Sequence, residues 1–241
     1  GGTWLTVPTA NINGTAVTWS GATLVSQTGS SANLIEFKVV DGSITGTVGS
    51  HTYLLDTAAP SFTAPSTGST SSVNGFVADA NGVVSAGTVV TTIGTSDGTN
   101  GSGGVTYSLV SGGSDFSIDS TTGAVTLRAN HSYNSSIPAN NIYHFTVRAT
   151  DVAGNATDNS TDKVVTYTIK LMPTVSVTGL SNDTYATTGN QQTDFVTQTA
   201  AQTISATLSA PLENGQTLQA RTDGGTWLTV PTANINGTAV T

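Results

Sequence analysis

Chemistry in this chain has to come from oxygen ligands. The sequence has no cysteine and three histidines, while Asp, Asn, Ser and Thr recur along its length. Carboxylates, amide side chains and carbonyls on adaptable loops are what Ca2+ takes, roughly six to eight at a time. The same residue types also close turns by bonding their own backbone, so for any single Asp both readings stay open. Other chemistries lack their parts. His51, His131 and His144 are scattered, with no H-x-x-x-H or H-E-x-x-H spacing for zinc. The glycine-rich stretch 94–104 (GTSDGTNGSGG) has neither the phosphate-loop lysine nor a following helical pattern. No G-x-S-x-G elbow, Ser/His/Asp set or G-G-x-G-x-D nonapeptide is present. Catalysis is therefore not expected.

Charged residues make up only 8% of the 241, against roughly a quarter in ordinary soluble chains, so each carboxylate stands out. Six Lys and Arg against fourteen Asp and Glu give a net charge of −8. That leaves too few cations to neutralise a phosphate backbone or to dock on anionic lipid, and no nucleic-acid partner is expected. No apolar run approaches the ~20 residues of a helical span, so no membrane insertion is expected either. No signal-peptide pattern opens the sequence, which is read as the interior of a longer protein. Apolar residues, at 36%, are spread widely enough to build a core. Without disulfides, a secreted protein needs another stabiliser, and bound metal is one.

Residues 1–18, GGTWLTVPTANINGTAVT, recur letter for letter as 224–241. Identity over that length implies a tandem array with a unit of about 223 residues. An engineered duplication would look the same, but the sequence between the copies divides into different modules, which favours a natural array.

Short runs of alternating polarity, ending in Gly, Asn, Asp or Ser, predict strands and turns. Examples are 105–110 (VTYSLV), 124–128 (AVTLR), 142–150 (IYHFTVRAT) and 164–171 (VVTYTIKL). No stretch keeps a helical period. The expected class is all-β, built of Greek-key β-sandwiches. Proline marks linkers at 56–62 (DTAAPSF) and 170–174 (KLMPT). The units are then 1–59, 60–172 and 173–241. In an array Thr241 runs on into the equivalent of Trp19, so 173–241 followed by 19–59 makes one domain of about 110 residues. Trp4, Trp19 and Trp227 lie in alternating patterns and are expected to pack inward.

Within 61–171, the elements Gly87-Thr88-Val89-Val90, Asp97 through the TYSL strand, FSIDSTTGAVTL (116–127) and YHFTVRATDVAGN (143–155) follow one another in order. With these, the segment resembles a cadherin-like domain. Two family elements are missing. His131, Ser132, Tyr133 and Asn134 stand where the family has paired acids, and only Asp79 lies near the place of its early Glu. The flanking pieces carry TVSVTGLSNDT (174–184), TDFVT (193–197), AQTISATLSAPLENGQTL (201–218), DGGTWLTV (223–230), TAVTWSGATL (15–24), FKVVDG (37–42) and the exit LLDTAAP (54–60). Read in array order, they resemble the bacterial Ig-like repeats of repeats-in-toxin (RTX) adhesins, split into a C-terminal part, 1–59, and an N-terminal part, 173–241.

The resemblance implies Ca2+ at the module junctions. Asp56, Asp97 and Asp151 with Asn155 would meet at the N-terminal pole of the central domain. Asp183, Asp194 and Asp41 would form a second site against the Met172-Pro173 linker if the halves meet. Asp115 and Asp119 read as turn residues of the SIDSTTG hairpin. The function implied is that of an extender in a giant adhesin on the bacterial surface, its calcium-stiffened repeats projecting a distal binding region for adhesion and biofilm formation. The expected partners are calcium and neighbouring repeats. Two alternatives are a carbohydrate- or protein-binding module, marked by an exposed aromatic row, and homotypic adhesion through the cadherin-like domain. A half sandwich exposes core and open edges, so the terminal pieces are expected to complete each other between chains.

Overall fold

A computed structural model describes residues 4–25, 33–77, 81–98, 101–183 and 195–241. Among the described residues there are strands, turns and 3-10 turns but no α-helix, so the all-β class holds.

Residues 4–59 carry β1 (Ile12–Asn13), β2 (Ala16–Val17), β3 (Asn33–Phe37), β4 (Val40–Asp41), β5 (Ile44–Thr45) and β6 (Gly49–Tyr53). Among the described residues these pair as three two-stranded ribbons, β1–β2, β3–β6 and β4–β5. Two-stranded ribbons bury little apolar surface, and no described residue from 4 to 59 is buried.

The centre differs. It contains β7 (Ser61–Ala64), β8 (Thr70–Val77), β9 (Val83–Val84), β10 (Val89–Thr92), β11 (Gly94–Ser96), β12 (Thr106–Ser111), β13 (Phe116–Ile118), β14 (Ala124–Leu127), β15 (His131–Ser132), β16 (Ile142–Thr150) and β17 (Lys163–Leu171). One sheet has the order β12-β16-β17-β8, with β8 parallel to β17. Its β12 and β16 pair across a long excursion through β13–β15, the Greek-key connection. The other layer is β10-β14-β13 with the β11–β7 ribbon.

Period-2 alternation decides what lies between the layers. Phe145, Val147 and Ala149 from β16 and Val165, Tyr167, Ile169 and Leu171 from β17 are buried, together with Phe62, Ile93, Phe116, Val125 and Leu127 from the opposite side. Phe116 sits at the centre, 4.6 Å from the Phe145 ring and edge-on to Tyr167 at 6.0 Å. Tyr167 lies over Gly75 of β8, where an added Cβ would fall 2.0 Å from its hydroxyl oxygen. Lys163 is buried at the start of β17. Its ammonium donates to the carbonyls of Ser66, Gly68 and Thr70 at 2.8, 2.8 and 3.1 Å, and burial pushes its pKa down.

The last segment carries β18 (Val175–Leu180), β19 (Ile204–Leu208), β20 (Gln219–Ala220), β21 (Leu228–Thr229), β22 (Ile235–Asn236) and β23 (Ala239–Val240). An antiparallel sheet β18-β19-β23-β22 forms, with β20–β21 separate. Only Leu208, Ala210 and Val240 are buried among its described residues, and Ala210 belongs to the central core.

The tryptophans correct the sequence-based expectation. Instead of packing inward, Trp4, Trp19 and Trp227 are 47%, 40% and 53% exposed. The Lys38 ammonium lies 4.2 Å from the Trp4 ring centre and the Arg221 guanidinium 4.4 Å from that of Trp227. Among the described residues neither terminal segment builds a second layer over these rings.

Candidate metal centre

Strand register brings three loops to one pole of the central sandwich. Ser96 of β11 is opposite Ser61 of β7, which sets the loop opening at Asp97 beside the linker that carries Asp56. Thr106 of β12 is opposite Thr150 of β16, so the same loop also runs beside Asp151. The carboxylates of Asp56, Asp97 and Asp151 each place an oxygen within 4.8 Å of the others. Asp151 is buried and its two companions are half-buried.

Hydrogen bonds fix the oxygens. Asp56 accepts from the amides of Ala58 at 3.1 Å and Ser102 at 2.6 Å, and these bonds hold its carboxyl below the usual range. Asp97 accepts from the Gly103 amide at 2.9 Å through one oxygen, while its other oxygen is buried with no partner. Asp151 accepts from the Asn155 amide at 2.8 Å and from its side chain at 3.0 Å. Asn155 also reaches the Asp56 carbonyl at 3.2 Å, joining the linker to the 151–155 loop. None of the six Lys and Arg pairs with these carboxylates among the described residues.

Three anionic groups at this separation repel strongly unless a cation or a proton lies between them. Oxygens ligating one Ca2+ at about 2.4 Å are never more than about 4.8 Å apart, and the cluster meets that limit. Its ligands are all oxygen, with no imidazole or thiolate, which suits a hard cation rather than zinc. The buried Asp97 oxygen, which has no hydrogen-bond donor, is available to a cation. The residues fit calcium: Asp56, Asp97 and Asp151 could each offer it an oxygen, while Asn155 fastens the loops.

Gly101 packs close against Asp97, where an added Cβ would meet the Asp97 carbonyl oxygen at 1.8 Å. Replacing Gly101 with Ala should push Asp97 out of place, and calcium titration followed by calorimetry should show affinity falling at least tenfold. Retained affinity would mean that the close approach of Gly101 to Asp97 is not needed.

The other expected ligands are placed differently. Asp41 lies exposed on β4, within the first segment. Asp183 follows β18 and accepts from the Phe195 amide at 3.1 Å. Asp194 lies outside the described residues. Among the described residues no second group of three acidic or imidazole ligands converges. At that end of the central sandwich the contacts are hydrogen bonds. Tyr133 donates its hydroxyl to Glu213, which raises the tyrosine pKa to about 12, and Gln216 donates to the Leu171 carbonyl. Glu213 and Gln216 brace one turn, with Gln216 accepting the Glu213 amide at 2.9 Å. Neither was singled out from sequence. The signal available was a Glu in a charge-poor chain, between Pro211 and Gly215. Asn134, standing where the acids are missing, closes its own loop by accepting from Ser136 and Ile137 at 3.0 and 2.9 Å. Asp119 caps its hairpin turn through the Thr121 and Thr122 amides, as expected.

No protein-family profile and no curated protein matches the chain. Among solved structures it is similar to Drosophila N-cadherin EC1-3, at 17% identity and TM-score 0.34, over 48% of this chain and 35% of that one. It is also similar to mouse Cadherin-23 EC22-24, at 21% and 0.33, over 55% and 39%. A third is the third cadherin domain of human protocadherin 7, at 20% and 0.31, over 53% and 92%. The chain thus spans less than half the length of the first two.

Proposed function

We propose that this chain is a structural extender unit of a large, repetitive cell-surface adhesin. Its cadherin-like centre is stiffened by calcium where the preceding Ig-like module enters it. The carrying observation is the convergence of Asp56, a linker residue, with Asp97 and Asp151 of the sandwich. An ion held by all three binds only when the linker is docked, so binding and rigidity are linked. The letter-for-letter repeat of residues 1–18 supports the tandem reading, because a spacer's length depends on copy number alone. The terminal segments serve as two parts of one Ig-like domain completed along the array, and the unit works secreted, at the bacterial surface, in adhesion and biofilm formation. The opposite junction, held by Tyr133–Glu213 and Gln216–Leu171, is set by direct contacts, with Asp183, Asp194 and Asp41 as candidate ligands if a second ion binds there.

Small-angle X-ray scattering with calcium and with chelator tests the reading. The maximum dimension should be fixed in calcium, and the chain should become flexible about residue 56 in chelator. Identical profiles in the two conditions would overturn the calcium-stiffening role.

A further inference from the structure

The end of the central sandwich away from the three aspartates is built to hold a turn. Tyr133 is fixed from its backbone outward. Its amide donates to the Gly82 carbonyl at 2.9 Å, and its ring packs against the central core. The next residue is held as well. The Asn134 amide donates to the Asn141 side-chain oxygen at 2.7 Å, and the Asn141 side-chain nitrogen donates to the Asn134 carbonyl at 2.9 Å, with Asn141 buried. Two groups are thereby presented at this pole: the Tyr133 hydroxyl as a donor and the Leu171 carbonyl, at the end of β17, as an acceptor.

The turn that meets them carries the matching pair. The Gln216 backbone amide donates to the Glu213 carbonyl at 3.0 Å, and Gly215 between them has φ 86°, the arrangement of a type II turn. The Glu213 carboxylate accepts from Tyr133, and the Gln216 side-chain amide donates to Leu171. Gln216 is oriented for this, because its side-chain oxygen already accepts the Glu213 amide at 2.9 Å. Ala210, just ahead of the turn, is buried and belongs to the central core. The connecting backbone is also engaged by protein groups. Met172 donates its amide to the Val77 carbonyl at 2.8 Å, and Pro173 has no amide to place. Thr174 bonds Ser209 through both its amide and its carbonyl at 3.0 Å.

We infer that this pole is a recognition site for the Glu213–Gln216 turn, which fixes the joint after residue 172 by hydrogen bonds and needs no metal ion. The ligand class is a polar turn with a carboxylate at its first position and a carboxamide at its fourth. A turn with the wrong group at either place leaves the Tyr133 hydroxyl or the Leu171 carbonyl unpaired, so the site also selects which segment can follow the sandwich. The inference rests on the direct-contact reading of this junction and is independent of the calcium reading. Calcium then controls one end of the sandwich, while the other end stays closed.

The chain has no cysteine, so Ser108→Cys on β12 and Thr207→Cys on β19, both at exposed positions, carry spin labels without background. Pulsed electron–electron distance measurements on the full chain in chelator should give one narrow distribution, and adding calcium should not change it. Tyr133→Phe, which keeps the ring on the core, and Glu213→Ala should each broaden it about twofold, as expected of an unlatched joint. The double variant should be no broader than either single one, because both remove the same bond. Gln216→Glu, which sets a carboxylate against the Leu171 carbonyl, should broaden it as well. A second pair, Ser50→Cys with Ser108→Cys, spans the linker at residue 56, and its narrowing in calcium tests the calcium reading alone. A broad distribution in the chelated parent, widths unmoved by Tyr133→Phe and Gln216→Glu, or a Tyr133→Phe/Glu213→Ala double variant broader than both singles would each overturn the recognition site.

Discussion

Adding calcium to the chelated protein should raise the melting midpoint of the central domain by roughly 10 °C, and the Asp151→Asn variant should not respond. At free calcium a hundredfold above its dissociation constant, linkage contributes about 2.7 kcal/mol, and each kcal/mol shifts a domain of this size by about 4 °C or more. Asp151 is the right position to change because it is the buried member of the trio. Asparagine keeps an oxygen to accept the Asn155 amide, the 2.8 Å bond that shapes the loop. The chelated variant should be as stable as the chelated parent or more so, since one of three mutually repelling charges is gone. That crossover distinguishes a metal ligand from a turn residue, whose loss would destabilise both states equally. The sign with pH is also fixed. Backbone donors depress the Asp56 pKa below its unfolded value of 3.8, so its contribution is present above that value and is lost as pH falls through the depressed pKa. The calcium response should fade over the same acidic range. Scanning calorimetry in calcium and in chelator reads all of this.

The second large effect should come from Arg148. Its guanidinium meets Asp162 through two bonds, Nε to Oδ1 at 3.2 Å and Nη2 to Oδ2 at 2.7 Å, while Asp162 is only 2% exposed. Asp162 also accepts the Thr157 hydroxyl at 2.6 Å, and that hydroxyl accepts the Ala149 amide at 3.1 Å. The network ties the far arm of the 151–162 loop back to β16. Changing Arg148 to Met keeps the aliphatic stem but leaves a buried carboxylate without its cation, which should lower the stability of the central domain. Chemical denaturation should show the loss, and adding Asp162→Asn should recover a substantial part of it by removing the stranded charge. If the double variant is no better than the single, packing rather than charge carries the effect.

Alternation along 142–150 and 164–171 made the two central strands legible, because a sheet with one face buried imposes period 2 on its side chains. The turn chemistry of Asp119 was legible for a similar reason, since an Asx turn is local. The acidic cluster was partly legible. Asp56, Asp97 and Asp151 are separated by long stretches of chain, and only the cadherin-like motifs suggested that they meet. Their convergence depends on β7 pairing with β11 and β12 with β16, which are non-local events. Glu213 and Gln216 were not legible, because nothing local marks a turn that braces another module's edge.

The repeat itself shows where the division falls. Residues 4–18 and 227–241 adopt one hairpin, down to the backbone angles at Pro8 and Pro231. Sequence alone determined that, since proline, the TAN turn and a glycine at positive φ are short-range constraints. Whether the hairpin's valine is buried was decided by tertiary structure. Val240 has β19 beside it, while among the described residues Val17 has no second strand beside β1, and burial is a property of what packs against a residue rather than of the residue itself.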